Sequence, residues 1–268
     1  MPGFFIFVNG MLTKNTIKFI RSLSQKKFRD IHGCFIAEGP KTITDIINSP
    51  LKTTKVFALP HWLDANQNLC KNIDEVTCIT ENELSSISLL STPNNVLAVV
   101  AIPGQKFNPA DASGSLIITL DDIRDPGNLG TIIRIADWFG FRHILCSETS
   151  VDVYNPKCIQ STMGSIARIN VYYERLEHIL PQNSPDIPVY GAFLNGENIF
   201  NEKLGKNGYL VIGNEANGIS PAIAGLVNRR LHIPSGTDSG THAESLNASI
   251  ATAIICSEFF RRTLPTTK

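Results

Sequence analysis

The sequence lacks the signatures of several large protein classes. Its six cysteines form no Cys-x-x-Cys pair, and it has neither a G-x-G-x-x-G fingerprint nor a phosphate-loop lysine. No apolar run is long enough to span a membrane, and the short run MPGFFIFV has no basic residue before it. These absences argue against zinc-binding, dinucleotide-binding, ATP-driven and membrane proteins. We therefore expect a soluble, cytoplasmic protein without a metal site, whose cysteines serve as small apolar residues.

Charge is balanced over the whole chain but not along it. Residues 1–59 hold nine Lys and Arg residues against three acidic ones, while the formal net charge of the chain is zero. Six of these basic residues follow one another without an intervening acid: Lys14, Lys18, Arg21, Lys26, Lys27 and Arg29. Such a cluster is typical either of a solvated helix face or of a surface that contacts an anionic partner such as RNA.

Short apolar runs alternate with helical patterns along the chain. In residues 1–102 the predicted strands are CFIAEG, KVFAL, EVTCIT and NVLAVVAI. Residues 103–114 are rich in Pro, Gly, Asn and Asp and are predicted to be a linker. Residues 115–268 alternate strands such as SLIITL and YLVIG with helices. We therefore predict an α/β protein with a small N-terminal α/β domain and a second domain built on a parallel sheet.

Particular helix boundaries follow from capping residues. Asn15 is the predicted N-cap of the first helix, and Gly140 is the predicted C-cap of NLGTIIRIADWFG. The last helix is predicted to run from about Glu244 to Arg262.

The segment LDDIRDPGNLGTIIRIADWFGF, residues 120–141, carries the first candidate site. Ligands of open α/β sheets bind at the carboxyl ends of strands, where this loop is expected to lie. Its three acids followed by Pro-Gly favour an ordinary turn over a magnesium site. Asn128 is either a helix cap or a site residue. Arg134 stands among apolar residues, and a buried cation in that setting needs a partner or a function.

Two later segments end in polar loops of the same kind. YLVIGNEANGIS, residues 209–220, is a predicted strand followed by a loop that holds Gly213 and Glu215. LHIPSGTDSGTHAESLNASIATAII, residues 231–255, is a strand, a polar loop and a helix near Ser245 and Asn247. These polar residues are either a helix cap or the wall of a pocket. A serine hydrolase is disfavoured because no G-x-S-x-G turn frames Ser245.

Taken in order, the three segments resemble the three motifs of the SpoU/TrmH group of SPOUT RNA methyltransferases. NLGTIIRIADWFG is similar to the first motif and LVIGNEANGIS to the second. LHIPSGTDSGTHAESLNASIATAII is similar to the third, although its loop is longer than usual, and KCIQSTMGSIARI resembles the segment between the first two motifs. The stretch NTIKFIRSLSQKKFRDIHGCFIAEGPKTI resembles the N-terminal substrate-binding domain of that family. The resemblance begins near residue 12. Either Met11 is the initiator, or the residues before it form a short leader.

This resemblance implies a fold and an activity. The fold is a SPOUT domain with a deep trefoil knot, and the assembly is a homodimer with sites near the subunit interface. The activity is transfer of a methyl group from S-adenosylmethionine to a ribose 2′-hydroxyl of RNA. The extra N-terminal domain favours rRNA over tRNA as the expected substrate. A non-catalytic RNA-binding protein with the same fold is the alternative, while a nucleotide-binding metabolic enzyme is disfavoured by the missing glycine fingerprint.

The resemblance also assigns site residues. The implied catalytic residues are Arg134, Asn128, Glu215, Ser245 and Asn247. The implied donor-binding residues are Leu194, Ile212, Gly213, Ile233, Ser245 and Leu246. We expect Arg134 to hold a phosphate and stabilise the nascent alkoxide rather than act as a base, because a guanidinium keeps its proton. The six basic residues from Lys14 to Arg29 are the predicted RNA contacts.

Overall fold

The structure, a computed structural model, describes residues 8–9, 12–180, 186–236 and 244–264. The described strands are β1 (Val8–Asn9), β2 (Cys34–Glu38), β3 (Thr53–Ala58), β4 (Glu75–Cys78), β5 (Val96–Ala101), β6 (Leu116–Leu120), β7 (His143–Ser147), β8 (Asn170–Glu174), β9 (Val189–Asn198), β10 (Gly208–Ile212) and β11 (Arg229–His232). The described helices are α1 (Lys14–Ser22), α2 (Lys26–His32), α3 (Pro40–Ile47), α4 (Pro60–Ala65), α5 (Glu81–Ile87), α6 (Asp111–Gly114), α7 (Pro126–Phe139), α8 (Pro156–Thr162), α9 (Leu176–Ile179), α10 (Pro221–Ala224) and α11 (Ala248–Arg261).

The chain forms two compact units. The first contains residues 1–104 and 152–168, and the second contains residues 105–151 and 169–268. The predicted second domain, residues 115–268, therefore includes a segment that packs in the first unit.

The first unit is built on a mixed sheet with the strand order β1-β4-β3-β5-β2. Strand β5 runs antiparallel to both β3 and β2, while β1, β4 and β3 are parallel. Ile20 and Leu23 from the α1 region pack with Phe57 and Leu97 of the sheet in one buried cluster. The N-cap of α1 is Thr13, whose side chain accepts from the Thr16 N–H, so the prediction of Asn15 was wrong by two residues.

Segment 152–168 completes the core of the first unit. Val153 and Cys158 are fully buried, Ile159 is nearly so, and helix α8 packs on β2. A buried ion pair between Arg29 and Asp152 joins this segment to α2.

The second unit is built on a six-stranded sheet with the order β11-β9-β10-β6-β7-β8. All of its described strand pairs are parallel, which confirms the predicted parallel sheet. One face carries a cluster that includes Ile117, Leu145 and Tyr209, and helices α7 and α11 pack against each other. Burial raises the pKa of the Cys146 and Cys256 thiols, as expected for cysteines used as apolar residues.

Helix boundaries in the second unit fix the position of the polar loops. Gly140 ends α7 with a left-handed backbone at φ 80°, as predicted. Helix α11 begins at Ala248 with Asn247 as its N-cap, so the predicted start at Glu244 was too early. Because β6, β10, β9 and β11 are parallel neighbours, the loops that follow them emerge at one edge of the sheet. None of the described helices is long and apolar enough to cross a bilayer, and the trefoil knot stays a prediction.

Candidate active site

The side chain of Asn128 joins all three polar loops. Asn128 is the third residue of α7, and its Nδ2 donates to Glu215 Oε1 over 2.7 Å. Its Oδ1 accepts from Asn247 Nδ2 over 3.0 Å. The cap of α7 is instead Asp125, whose Oδ1 accepts from the Asn128 N–H at 2.8 Å. The interpretation of Asn128 as a mere helix cap is therefore wrong, and its amide is used between loops.

Asn247 has two functions at the start of α11. Its Oδ1 accepts from the Ser249 N–H at 2.9 Å and the Ile250 N–H at 3.4 Å, which caps the helix. The same oxygen accepts from Ser249 Oγ at 2.6 Å. Its Nδ2 remains for the contact with Asn128. The same side chain therefore caps α11 and contacts Asn128.

A closed loop after β10 carries Glu215 at its tip. The Asn214 and Gly218 backbones exchange hydrogen bonds of 2.9 Å in both directions. A Cβ on Gly213 would lie 2.2 Å from the Gly218 carbonyl carbon, so the two backbones approach more closely than any side chain allows. Gly218 itself has φ 68°, which favours glycine. The glycines therefore make the tight loop that aims Glu215 at α7.

The three acids of the β6–α7 loop organise the loop itself. Asp121 Oδ2 accepts from the Ser220 N–H at 2.7 Å, and Asp125 caps α7. Both carboxylate oxygens of Asp122 lie 3.1 Å from Arg124 Nε. Within the described residues no group of three or more His, Cys, Asp or Glu side chains is arranged to hold a metal ion. These carboxylates serve the turn that Asp-Pro-Gly predicted.

Arg134 lies outside this contact network. It is exposed on α7, whereas Ile132, Ile133 and Ala136 take the buried side of the helix. In the described part of the chain it has no hydrogen-bond or ion-pair partner. The expectation of a buried guanidinium was therefore wrong for the single chain, because an apolar sequence neighbourhood does not fix the side of the helix a residue occupies. Ser245 is also exposed, two residues before the α11 cap.

The predicted donor-binding residues lie at the ends of β10 and β11, in β9 and just before α11. Ile212 is buried at the end of β10, while Gly213 and Ile233 are half-buried. Leu194 exposes 70% of its surface and Leu246 exposes 48%. These two exposed leucines, one in β9 and one just before α11, provide apolar surface of the kind that lines ligand sites.

An irregularity in β9 presents Leu194. Arg230 pairs with Gly191, but the next residue of β11 pairs with Glu197, so residues 192–196 have no partner on β11. The Arg230 guanidinium lies 4.1 Å from the centre of the Phe193 ring, a cation–π contact that holds this irregular stretch.

The predicted RNA contacts separate into two groups. Exposed basic residues on α1 and α2 are Lys14, Lys18, Arg21, Lys26 and Lys27, although Lys26 pairs with Asp30 and Arg21 donates to Ser86 O. Arg29 is only 2% exposed. Its guanidinium donates to the carbonyls of Leu23 and Ser24 at 2.9 Å and to Asp152 at 2.6 and 3.0 Å. Arg29 therefore stabilises the first unit, and its prediction as a phosphate contact was wrong.

Comparison with known proteins identifies the family of this chain. The model of the SpoU rRNA methylase family matches residues 115–257, and that of the MRM3-like substrate-binding domain matches residues 14–98. The 23S rRNA (guanosine(2553)-2′-O)-methyltransferase RlmP of Bacillus subtilis is 26% identical, over 89% of this chain and 93% of that protein.

Solved structures agree with this match over nearly the full length. A TrmH-family structure from Porphyromonas gingivalis is 37% identical, with a TM-score of 0.85 over 94% of this chain and 100% of that one. An AdoMet-bound rRNA methyltransferase from Sinorhizobium meliloti is 28% identical, with a TM-score of 0.82 over 95% of this chain and 97% of that one. The fold and the joined loops define an α/β protein with its site at the carboxyl edge of a parallel sheet. This chain belongs to the SpoU rRNA methylase family.

Proposed function

We propose that this protein transfers a methyl group from S-adenosylmethionine to a ribose 2′-hydroxyl of RNA, with ribosomal RNA as the substrate class. The observation that carries the proposal is the contact of Asn128 with both Glu215 and Asn247, which joins side chains from all three motifs. Family membership, a similar rRNA 2′-O-methyltransferase covered over 93% of its length and an AdoMet-bound structural neighbour support the reaction and its donor.

The residues at the sheet edge fit an adenosine-containing donor. The exposed leucines 194 and 246 offer apolar surface, and Ile212, Gly213, Ile233 and Ser245 would hold the donor from neighbouring loops. When bound, S-adenosylmethionine supplies a methyl carbon that its sulfonium charge already makes electrophilic. The protein's task is then to align the 2′-oxygen with that carbon and to manage the hydroxyl proton.

Arg134 is proposed as the group that binds the target phosphate and stabilises negative charge on the 2′-oxygen. It lies six residues after Asn128 on α7, about 9 Å along the helix axis. Its exposed guanidinium has no partner within the described residues, so it is available for a phosphate. A guanidinium does not give up its proton at neutral pH, and this favours electrostatic stabilisation over general-base catalysis.

The first unit is proposed to bind the RNA substrate through its phosphates. Lys14, Lys18 and Lys27 are exposed on α1 and α2, and Arg21 and Lys26 add charge beside them. Because phosphate contacts position an RNA without reading its sequence, this surface would give affinity rather than choice of nucleotide.

A homodimer is proposed through the outer surface of α7 and α11. Trp138 exposes 84% of its surface and lies one turn after Arg134 on α7. Ile250 is half-exposed on α11, which packs on α7. Large exposed apolar residues on two helices that pack together are typical of a protein interface. A second copy on this surface would bring its own residues beside Arg134. A cytoplasmic location is also proposed, because the six cysteines form no disulfide among the described residues, which suits a reducing compartment.

The test compares ribose methylation of total RNA from cells with and without the gene, followed by assays with the purified protein. We expect one ribosomal position to lose its methyl group without the gene. Arg134→Ala should abolish turnover while leaving donor affinity, measured by calorimetric titration, within about twofold. The matched control is Arg175→Ala, which removes an exposed arginine of the same unit.

Two outcomes would contradict the proposal in different ways. Normal turnover by Arg134→Ala would remove Arg134 from the reaction. RNA binding by the wild-type protein without any methylation, in the presence of a donor, would favour the non-catalytic RNA-binding alternative.

A further inference from the structure

The position of Glu215 depends on contacts beyond its own bond to Asn128. The bond between Glu215 and Asn128 is partly exposed to solvent, where a single hydrogen bond contributes little. The loop that carries Glu215 must therefore be held by other groups. Two such groups stand on the neighbouring β6–α7 loop, at Asp121 and Asp122.

Asn214 uses its whole amide group in this loop. Its Oδ1 accepts from the Ala216 N–H at 2.9 Å and the Asn217 N–H at 3.1 Å, which fixes the internal shape of the loop. Its Nδ2 donates to the Asp122 carbonyl at 2.8 Å and to Asp122 Oδ2 at 3.2 Å, which fixes the loop against its neighbour. One side of the amide therefore shapes the loop and the other side places it.

Asp122 is itself rigidly held. Its backbone has φ 57°, a left-handed conformation that Asp tolerates better than most residues. Its N–H donates to Ser147 Oγ at 2.9 Å, at the end of the next strand β7. A continuous chain of contacts thus runs from β7 through Asp122 and Asn214 to the loop that carries Glu215.

We propose that Asn214 is a positioning residue for methyl transfer, which acts by holding the Glu215 loop against Asp122 so that Glu215 meets Asn128. This proposal rests on the proposed ribose methylation. Catalysis is sensitive to such placement, since an error of about 1 Å can reduce a rate about 100-fold. Asn214 needs no contact with RNA or donor for this role.

The informative variant is Asn214→Asp. Aspartate keeps the oxygen that accepts from Ala216 and Asn217, but it places a second carboxylate oxygen against the carbonyl and carboxylate of Asp122. We expect turnover at pH 8 to fall at least about tenfold. As the pH falls, the two carboxylates can share a proton, and the resulting O–H can donate to Asp122 again. The turnover of Asn214→Asp relative to wild type should therefore rise between pH 8 and pH 6.

Other charges near this pair are the same in all variants. Arg124 Nε donates to Asp122, and Asp121 accepts from the Ser220 N–H. Asn214→Ala loses the bonds to Asp122 and also the bonds that Oδ1 accepts from Ala216 and Asn217, but it gains no carboxyl group. It should lose turnover without recovery at low pH. Asn217→Asp is the matched control, because it adds the same charge to the same loop at an exposed side chain with no hydrogen bond among the described residues. We expect it to change turnover less than about twofold at any pH.

Melting temperatures of all variants accompany the kinetics. Wild-type turnover by folded Asn214→Asp at pH 8 would overturn the proposal, and so would an equal loss in Asn217→Asp. If Asn214→Asp does not fold at pH 8, the folded Asn214→Ala variant is the test instead. Its loss of turnover would support the proposal, and its normal turnover would overturn it. If Glu215→Ala is inactive while the Asn214 variants are fully active, only this inference is refuted. No methylation by the wild-type protein would refute the proposed function instead.

Discussion

Substitution of Asn247 can separate helix capping from the contact between loops. The cap uses Oδ1, whereas the contact with Asn128 uses Nδ2. Asn247→Ala removes both, and Asn247→Asp keeps the capping oxygen but removes the donor. The two variants therefore differ in stability and agree in their effect on the site.

The magnitudes follow from the contacts. Loss of an Asn cap costs about 1 kcal/mol, within a range of roughly 0.5–2 kcal/mol, and the bond to Asn128 adds roughly 0.5–1.5 kcal/mol. Aspartate at the same position regains about 0.3–1 kcal/mol from the helix dipole. We therefore expect Asn247→Ala to lower the free energy of unfolding by about 2 kcal/mol and Asn247→Asp to change it by less than about 1 kcal/mol.

The two Asn247 variants should differ in stability but not in activity. In Asn247→Asp the Oδ1 of Asn128 faces a carboxylate that cannot donate to it, while its Nδ2 points to Glu215 on the other side. The amide of Asn128 cannot satisfy both carboxylates without rotating, so both variants should lose at least about tenfold in turnover. Urea unfolding and single-turnover methylation are the two measurements. Full activity in Asn247→Asp would refute the positioning argument, and unchanged stability in Asn247→Ala would refute the capping argument.

Three further predictions concern other parts of the molecule. Arg29→Met leaves the carboxylate of Asp152 without its cation, so the free energy of unfolding, measured in urea, should fall by about 3–5 kcal/mol. The double variant with Asp152→Ala should be destabilised by less than the sum of the two single variants. Additive losses would contradict a coupled pair. The double variant Lys18→Ala with Lys27→Ala should weaken RNA binding. The slope of log K for RNA binding against log salt concentration should become shallower by about 0.7 for each phosphate that is no longer neutralised. An unchanged slope would exclude these lysines from the RNA surface. Trp138→Glu should convert a dimer to a monomer in analytical ultracentrifugation, and a wild-type sedimentation coefficient would place the interface elsewhere.

The parallel sheet and the identity of its loops were predictable from the sequence. SLIITL and YLVIG are typical of buried strands because both faces of a parallel sheet are covered and leave no polar alternation. Gly140 marked the end of a helix, and this prediction holds in the structure. These local signals alone were enough to locate the motif segments along the chain.

Local sequence signals did not predict the environment of a residue where that environment depends on the side of the helix it occupies or on a partner far away in the chain. Arg29 was predicted as one of six equivalent basic residues, yet its partner Asp152 lies 123 positions away. Arg134 was predicted as a buried cation, yet it occupies the exposed side of α7. Asn214 and Asp122 were not recognised as supports of the site, because an Asx residue in a loop is usually satisfied by its own backbone.

The sequence by itself determined which segments become strands, where the tight turns fall and which amides and carboxylates stand at strand ends, because these depend on neighbours within a few residues. Only the tertiary structure decided that Asn128 bonds to residues 87 and 119 positions away, that Asn247 serves both helix and site, and that residues 152–168 pack in the first unit. Such contacts depend on how strands and helices are arranged in space, and the periodicity of a single segment carries no information about that arrangement.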